Sequence, residues 1–274
     1  MDRKKIAQES LHIMQQGFYV REGKRIAFAE QQKASEDRSV LITPEQGKIL
    51  GREFYSRQDA PQAKKTVVNI ATVQAILQLN AGRKDKIGVL NFASAKNPGG
   101  GFLNGAMAQE ESLAVSSGLY ATQLCHEGYY LANRAFSSMM YTDYAIYSPD
   151  VVFFRDERFN LLEKPVTASV LTLPAVNYGQ VILKGENSKQ AQKGMKERMR
   201  LALTILAAKG DQTIVLGAYG CGVFRNDPAN VARWWKELLM DEGFDTYFDE
   251  IIFAVLDTSK TESCIRAFKA VNFI

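Results

Sequence analysis

Hydrophobic and polar residues follow two different periods along this chain, and the switches between them mark its elements. Ile6, Leu11, Ile13 and Met14 recur at helical spacing among charged and amide residues, so residues 2–16 read as a helix closed by Gly17. Tyr19, Val20, Ile26 and Phe28 flank Gly23 and predict a small hairpin over 18–28. Short apolar runs at 40–43 and 66–70 predict strands, and Thr72 is placed to cap a helix through Asn80 that Gly82 stops. The polar stretch 51–65 reads as an exposed loop.

Beyond Lys86 the pattern becomes a regular alternation. Residues 87–93 form an apolar run that predicts a buried strand. A helix is expected over 109–124, then strands at 144–147, 151–154 and 166–173. A charged helix at 189–208 precedes a strand at 213–216, a helix at 228–240, a strand at 250–256 and a last helix from Lys260. Strands alternating with helices predict an α/β fold of three layers, a central sheet with helices on both faces, and leave room for antiparallel strands at the sheet edges. Residues 1–82 read as a mainly helical amino-terminal extension packed on a core of residues 83–274, with no internal repeat or low-complexity linker.

Composition changes this picture little. The chain has 274 residues, 46% hydrophobic and 23% charged, the balance of a soluble globular protein. A net charge of +4 suits an acidic substrate and falls short of the basic density of a dedicated nucleic-acid binder. Cys125, Cys221 and Cys264 are odd in number and widely spaced, which argues against a disulfide framework or a structural zinc site. The first residues lack the apolar stretch of a signal peptide, and no apolar run approaches the ~20 residues that span a bilayer. A cytoplasmic protein without membrane attachment is expected.

Two glycine clusters carry the candidate chemistry. Gly99, Gly100 and Gly101 follow the strand at 87–93, and Gly217, Gly220 and Gly222 follow the strand at 213–216. Ligands in open α/β sheets bind beyond the carboxyl ends of the strands. Glycines there let the chain turn sharply and bring N–H groups to an anion, helped by the positive end of a following helix. Asp227 and Pro228 are a natural N-cap and first helical residue after the second cluster. A tight turn holding no ligand explains either loop alone, but less readily two loops on one sheet. Neither cluster matches GxGxxG or the P-loop pattern.

Glu110 and Glu111 open the helix after the first cluster. Adjacent helical side chains diverge by about 100°, so the pair is not an opposed carboxyl dyad. One acid at most points at a reacting bond, while the other holds a ligand or orients its neighbour. The plain alternative is two surface acids favoured by the helix dipole. His12 and His126 are the only histidines, too few for a Ser-His-Asp triad or a histidine-rich metal site, and both read as structural or solvent-facing. Cys221, Trp234, Trp235, Tyr129, Tyr130, Phe153 and Phe154 read as packing residues, and the basic cluster 193–200 as a solvated helix face.

The spacing of Gly99–Gly101 from Gln109, Glu110 and Glu111 resembles the signature of poly(ADP-ribose) glycohydrolases, and the flanking segment 90–98 resembles their bacterial-type branch. Residues 217–224 are similar to that family's diphosphate-binding loop, and the likeness extends over most of the chain. The resemblance implies a macrodomain-like fold with a mixed central sheet, and cleavage of the ribose–ribose bonds of poly(ADP-ribose) without a metal or other cofactor. It implies Glu111 as the catalytic acid and Glu110 as the holder of ribose hydroxyls. Gly99, Gly100 and Gly101 would approach the distal ribose and Asn97 would border it, with Asn104 and Gln109 also in the substrate-binding set. Gly220, Cys221, Gly222, Val223 and Phe224 would wrap the diphosphate, with Phe224 packing on the distal ribose, and Gly217 and Tyr219 of the same loop would also belong to the substrate-binding set. The substrate would be poly(ADP-ribose) or ADP-ribosylated protein, the product ADP-ribose, and the attack would start from chain ends. A carboxylic acid donor working near neutral pH needs its proton held by burial. Two alternatives share the pocket: a macrodomain that only binds ADP-ribose, and a hydrolase of single ADP-ribose units on protein or nucleic acid.

Overall fold

Both glycine loops emerge side by side at one end of a mixed sheet. A computed structural model of the protein describes residues 2–52, 60–81 and 85–273. Its strands are β1 (Phe18–Arg21), β2 (Lys24–Ala27), β3 (Val40–Ile42), β4 (Lys64–Val68), β5 (Ile87–Ala93), β6 (Ala145–Arg155), β7 (Leu161–Pro174), β8 (Thr213–Leu216) and β9 (Glu250–Ala254). Its helices are α1 (Arg3–Gln16), α2 (Ala29–Arg38), α3 (Pro44–Arg52), α4 (Thr72–Asn80), α5 (Gln109–Ser116), α6 (Leu119–Leu124), α7 (Glu127–Ala135), α8 (Tyr178–Leu183), α9 (Ser188–Ala208), α10 (Pro228–Lys236) and α11 (Ser263–Ala270). β1 and β2 form the expected hairpin, and seven strands form one sheet in the order β3-β6-β7-β5-β8-β9-β4. β3, β6 and β7 pair antiparallel, whereas β7, β5, β8, β9 and β4 run parallel.

The parallel strands are apolar throughout because both sheet faces are covered. Leu90 of β5, Ile214 and Leu216 of β8 and Ile251 and Phe253 of β9 enter one core, packed with residues of α9, α10 and α11. Ile87 and Val89 of β5 and Val215 of β8 point the other way, to Val73, Ile76 and Leu79 of α4 and Leu113 of α5. Side chains alternate with the strand period of two, so the sheet becomes the middle of three layers. A third cluster joins Ala7, Ile13 and Met14 of α1 to Phe102, Ala114 and Val115, directly behind the first glycine loop.

The segment 1–82 enters the sheet itself: β3 forms one edge and β4 the other. Several expectations about individual elements need correction. The helix expected over 109–124 breaks into α5 and α6, because Ser117 bridges Phe153 and the Gly118 N–H donates to the Val152 carbonyl at 2.9 Å. The strands expected at 144–147 and 151–154 are one strand, β6, with a register irregularity between Ser148 and Val151. Thr72 begins α4 rather than capping it; the N-cap is Ala71. The helix expected over 228–240 ends at Lys236 and continues as a π-turn over Glu237–Asp241. Helices α2, α3, α7 and α8 are additions to the expected elements; α2, for example, buries only Gln32 and Ser35 and has no apolar stripe. Arg198 is not part of a solvated face. It is buried, bonds Asp143 at 2.7 Å and the Met140 carbonyl at 3.3 Å, and ties α9 to the end of β7 through Pro174. Gly82 and the middle of the expected loop 51–65 lie outside the described residues.

Candidate active site

The first loop folds over the two acids. Gly99 and Gly100 have φ of +62° and +60°, a region that favours glycine, and the Gly100 N–H donates to the Asn97 carbonyl at 3.0 Å. A Cβ placed on Gly100 would lie 2.4 Å from Glu111 Oε1 and 3.1 Å from Glu110 Oε2. The glycine therefore rests against both carboxyls, and a side chain there would have to displace them. Glu111 Oε1 accepts from the Gly101 N–H at 2.9 Å and Oε2 from the Ala108 N–H at 3.0 Å. The second bond is half of a capping box for α5, so this acid also secures the start of its own helix. Glu111 is half-buried, and each of its oxygens keeps a lone pair for an occupant.

Glu110 turns inward and is 3% exposed. Its Oε1 accepts from Asn91 Nδ2 at 3.1 Å and Gln123 Nε2 at 2.9 Å, and its Oε2 from the Ser94 N–H at 2.6 Å. Asn91 and Gln123 also donate to Thr172 Oγ1, and Gln123 Oε1 accepts from the Gly99 N–H at 2.7 Å. One network thus binds the buried acid to the glycine loop. Burial pushes the Glu110 carboxyl up to about 7, against the opposing pull of the three donors. An acid whose folded pKa exceeds its unfolded value of 4.5 stabilises the fold below that pH and loses the contribution as pH rises through about 7. The shift corresponds to about 3 kcal/mol. Urea unfolding between about pH 4 and 8 should show this decline in the wild type and not in Glu110→Gln; parallel curves would contradict it.

The second loop lies across the sheet end from the first, since β5 and β8 are parallel neighbours. Gly220 has φ +72°, and a Cβ there would lie 2.6 Å from Asn226 Nδ2 and 2.8 Å from Ala175 Cβ. Asn226, buried, shapes the loop by donating to the carbonyls of Val176 at 2.8 Å and Gly220 at 3.0 Å. Asp227 caps α10 through the N–H groups of Ala229 and Asn230, and Pro228 is its first residue, as expected. Gly222 is exposed, and a Cβ there would meet nothing within 4 Å. A cavity of about 720 Å³ opens beside the second loop, lined among others by Phe92, Ala108, Gln109, Gly220, Gly222 and Phe224; Gly99, Gly100, Gly101, Glu110 and Glu111 are not among its lining residues. Such a volume suits a dinucleotide-sized ligand.

Residues 7–156 match the family model described as the microbial-type PARG catalytic domain. The chain belongs to this family. Its structure is similar to poly(ADP-ribose) glycohydrolase from Thermomonospora curvata, with a TM-score of 0.94 and 36% identity over 98% of each chain. The same enzyme bound to the inhibitor ADP-HPD matches at a TM-score of 0.91 and 35% identity, again over 98% of each chain. The glycohydrolase from Deinococcus radiodurans in complex with ADP-ribose matches at a TM-score of 0.82 and 43% identity, over 87% of this chain and 96% of that one. The search of curated proteins found no match. The fold is the macrodomain-like α/β fold of these glycohydrolases, a mixed sheet between helical layers.

In this member of the family, the residues singled out by sequence divide into those facing the cavity and those propping it. Gly220, Cys221, Gly222, Val223 and Phe224 line the cavity. Tyr219 is fully buried; its hydroxyl donates to the Leu173 carbonyl at 2.9 Å, so it supports the loop from beneath. Gly217 is held there by Trp235, whose Nε1 donates to its carbonyl at 3.1 Å. Gln109 lines the cavity, yet its amide spans β5: Oε1 accepts from the Phe92 N–H and Nε2 donates to the Leu90 carbonyl, both at 2.9 Å. Asn97 and Asn104 are exposed at the loop's outer turns. Sequence reasoning missed Asn91, Ser94, Gln123, Thr172 and Asn226. Asn91 offered a signal, as a polar residue inside an apolar strand. His126 lies away from the site, where its Nε2 pairs with Ser39 Oγ at 2.7 Å.

Proposed function

We infer that this protein hydrolyses the ribose–ribose glycosidic bonds of poly(ADP-ribose) and releases ADP-ribose. One observation carries the reading: Gly100 brings both carboxyls of an acidic pair against a loop at the carboxyl end of β5, beside the cavity edged by the second glycine loop. Family membership supplies the substrate class.

In the proposed reaction a protonated Glu111 donates to the oxygen of the leaving ribose as the glycosidic bond breaks through an oxocarbenium-like state. The resulting carboxylate takes a proton from a water that attacks the anomeric carbon, which restores the acid. The backbone donors Gly101 and Ala108 fix the carboxyl's position through the cycle. Glu110, held rigid by Asn91, Gln123 and Ser94, offers its free lone pairs to ribose hydroxyls. The N–H groups of the loop from Gly220 to Phe224 hold the diphosphate. Attack from chain ends follows from the bacterial-type likeness. Residues 1–82 serve the same site as residues 83–274, because α1 packs behind the first loop and β3 and β4 complete the sheet. Three free cysteines fit a reducing, cytoplasmic setting.

Incubation with polymer and with singly modified protein, followed by identification of the released sugar, tests the reading. ADP-ribose freed from polymer supports it. Release from singly modified protein alone assigns the other hydrolase, and binding without release assigns a reader. The loop's role has a separate check. Gly222→Val meets no obstacle within the protein, so it should leave the fold intact and weaken ADP-ribose binding about tenfold or more by obstructing backbone approach. Unchanged affinity by calorimetry would remove the loop from the binding site.

A further inference from the structure

Among the described residues, Arg3 is the only cation lining the cavity. It arrives there from α1, far from either glycine loop in sequence. Asp2 caps this helix by accepting from the N–H groups of Lys4 and Lys5. The apolar face of α1 fixes its position, through Ala7, Ile13 and Met14 against Phe102 and Val115. Gly105, at φ +80°, lets the two segments approach: a Cβ there would lie 3.4 Å from Arg3 Cβ and 3.3 Å from Lys4 Cγ. Arg3 therefore lines the same cavity as Met107, Ala108, Gly220 and Gly222.

The guanidinium is uncommitted. Arg3 is exposed and forms no ion pair with another described residue. The one acid lining the cavity, Asp257, is already engaged by the Ser259 hydroxyl at 2.6 Å and by the N–H groups of Ser259, Cys264 and Ile265. A pyrophosphate ester carries about two negative charges near neutral pH, and a guanidinium matches phosphate oxygens with paired donors.

We propose that Arg3 binds the diphosphate of the substrate from the side opposite the second glycine loop, so that α1 contributes a binding residue as well as support. The proposal rests on the glycohydrolase reading above. It assigns the anionic group two complementary partners, the N–H groups of the loop on one side and a mobile cation on the other. Because Arg3 meets the substrate away from the reacting bond, it acts on substrate capture rather than on the chemical step.

The test is calorimetry with ADP-ribose and with adenosine, which lacks phosphate, on the wild type, Arg3→Gln and Arg3→Lys at low and high salt. Arg3→Gln should weaken ADP-ribose binding about tenfold, flatten its salt dependence and leave adenosine unaffected. Arg3→Lys should recover part of the loss, since a point charge replaces a fork. With polymer, Arg3→Gln should raise KM and leave kcat within about twofold. Equal weakening of both ligands would make Arg3 a packing residue and overturn the proposal, as would unchanged ADP-ribose binding. A wild type that fails to bind ADP-ribose would overturn the underlying reading and this proposal together.

Discussion

Glu111→Gln is expected to abolish release of ADP-ribose from polymer, lowering kcat by about three orders of magnitude or more, while ADP-ribose affinity stays within about tenfold of the wild type. Glutamine preserves the shape of the side chain, and its amide oxygen still accepts from the Gly101 or Ala108 N–H. What it loses is the proton cycle. It donates no proton to the leaving oxygen and takes none from water, so both halves of the reaction fail while the pocket persists. Binding by calorimetry and turnover by chromatography of the released sugar separate the two effects. Turnover close to wild type would remove Glu111 from the chemistry.

Gly100→Ala should be nearly as damaging for a different reason. The added methyl would sit 2.4 Å from Glu111 Oε1, closer than real contacts allow, and a tight 3.0 Å from its Cδ. The position also has φ +60°, where an L side chain costs about 1–2 kcal/mol. The carboxyl moves, the loop moves, or both. Because catalysis needs the acid held to within a fraction of an ångström, kcat should fall about 100-fold or more. The melting temperature should drop by only several degrees, since the sheet is untouched and α5 loses at most a capping bond. A variant with wild-type kcat would show that the acid does not work from the place where Gly100 holds it. Gly222 offers the contrast: its surroundings are open, so its substitution reports on the ligand and not on protein strain.

These contrasts show what the sequence exposed and what it hid. The glycine clusters and the acidic pair were legible because their physics is local. A run of glycines after an apolar strand and acids at a helix start need no distant partner to be noticed. The Asp227–Pro228 start of α10 was equally plain, as a cap and its helix are adjacent in the chain. The network around Glu110 was not legible, because Asn91 meets Thr172 from 81 residues away and Gln123 meets Gly99 from 24. Asn91 stood out inside an apolar strand, but its partners did not, and a buried amide such as Gln123 looks the same in sequence as an exposed one. The break at Ser117 and Gly118 was hidden too, since the partners that stop the helix, Phe153 and Val152, belong to another strand. Likewise nothing near Arg3 marks it as a cavity residue; only the packing of α1 behind Phe102 brings it there.

The account predicts a division of labour among side chains that sequence alone grouped together. Tyr219 and Gln109 stand in the signature segments, but their polar atoms are bonded to the backbone of β7 and β5. Their substitution should show first as lost stability or a displaced loop, and only through that as lost binding. Glu110 is locked into the loop network, and its Oε2 also lies against Gly100.

The most direct measurement is a crystal structure of the Glu111→Gln protein soaked with a short ADP-ribose polymer. The account predicts the diphosphate on the N–H groups between Gly220 and Phe224, and the side-chain amide of residue 111 within hydrogen-bonding distance of the ribose–ribose oxygen. Polymer bound away from this cavity, or residue 111 turned to solvent with the sugar in place, would contradict it.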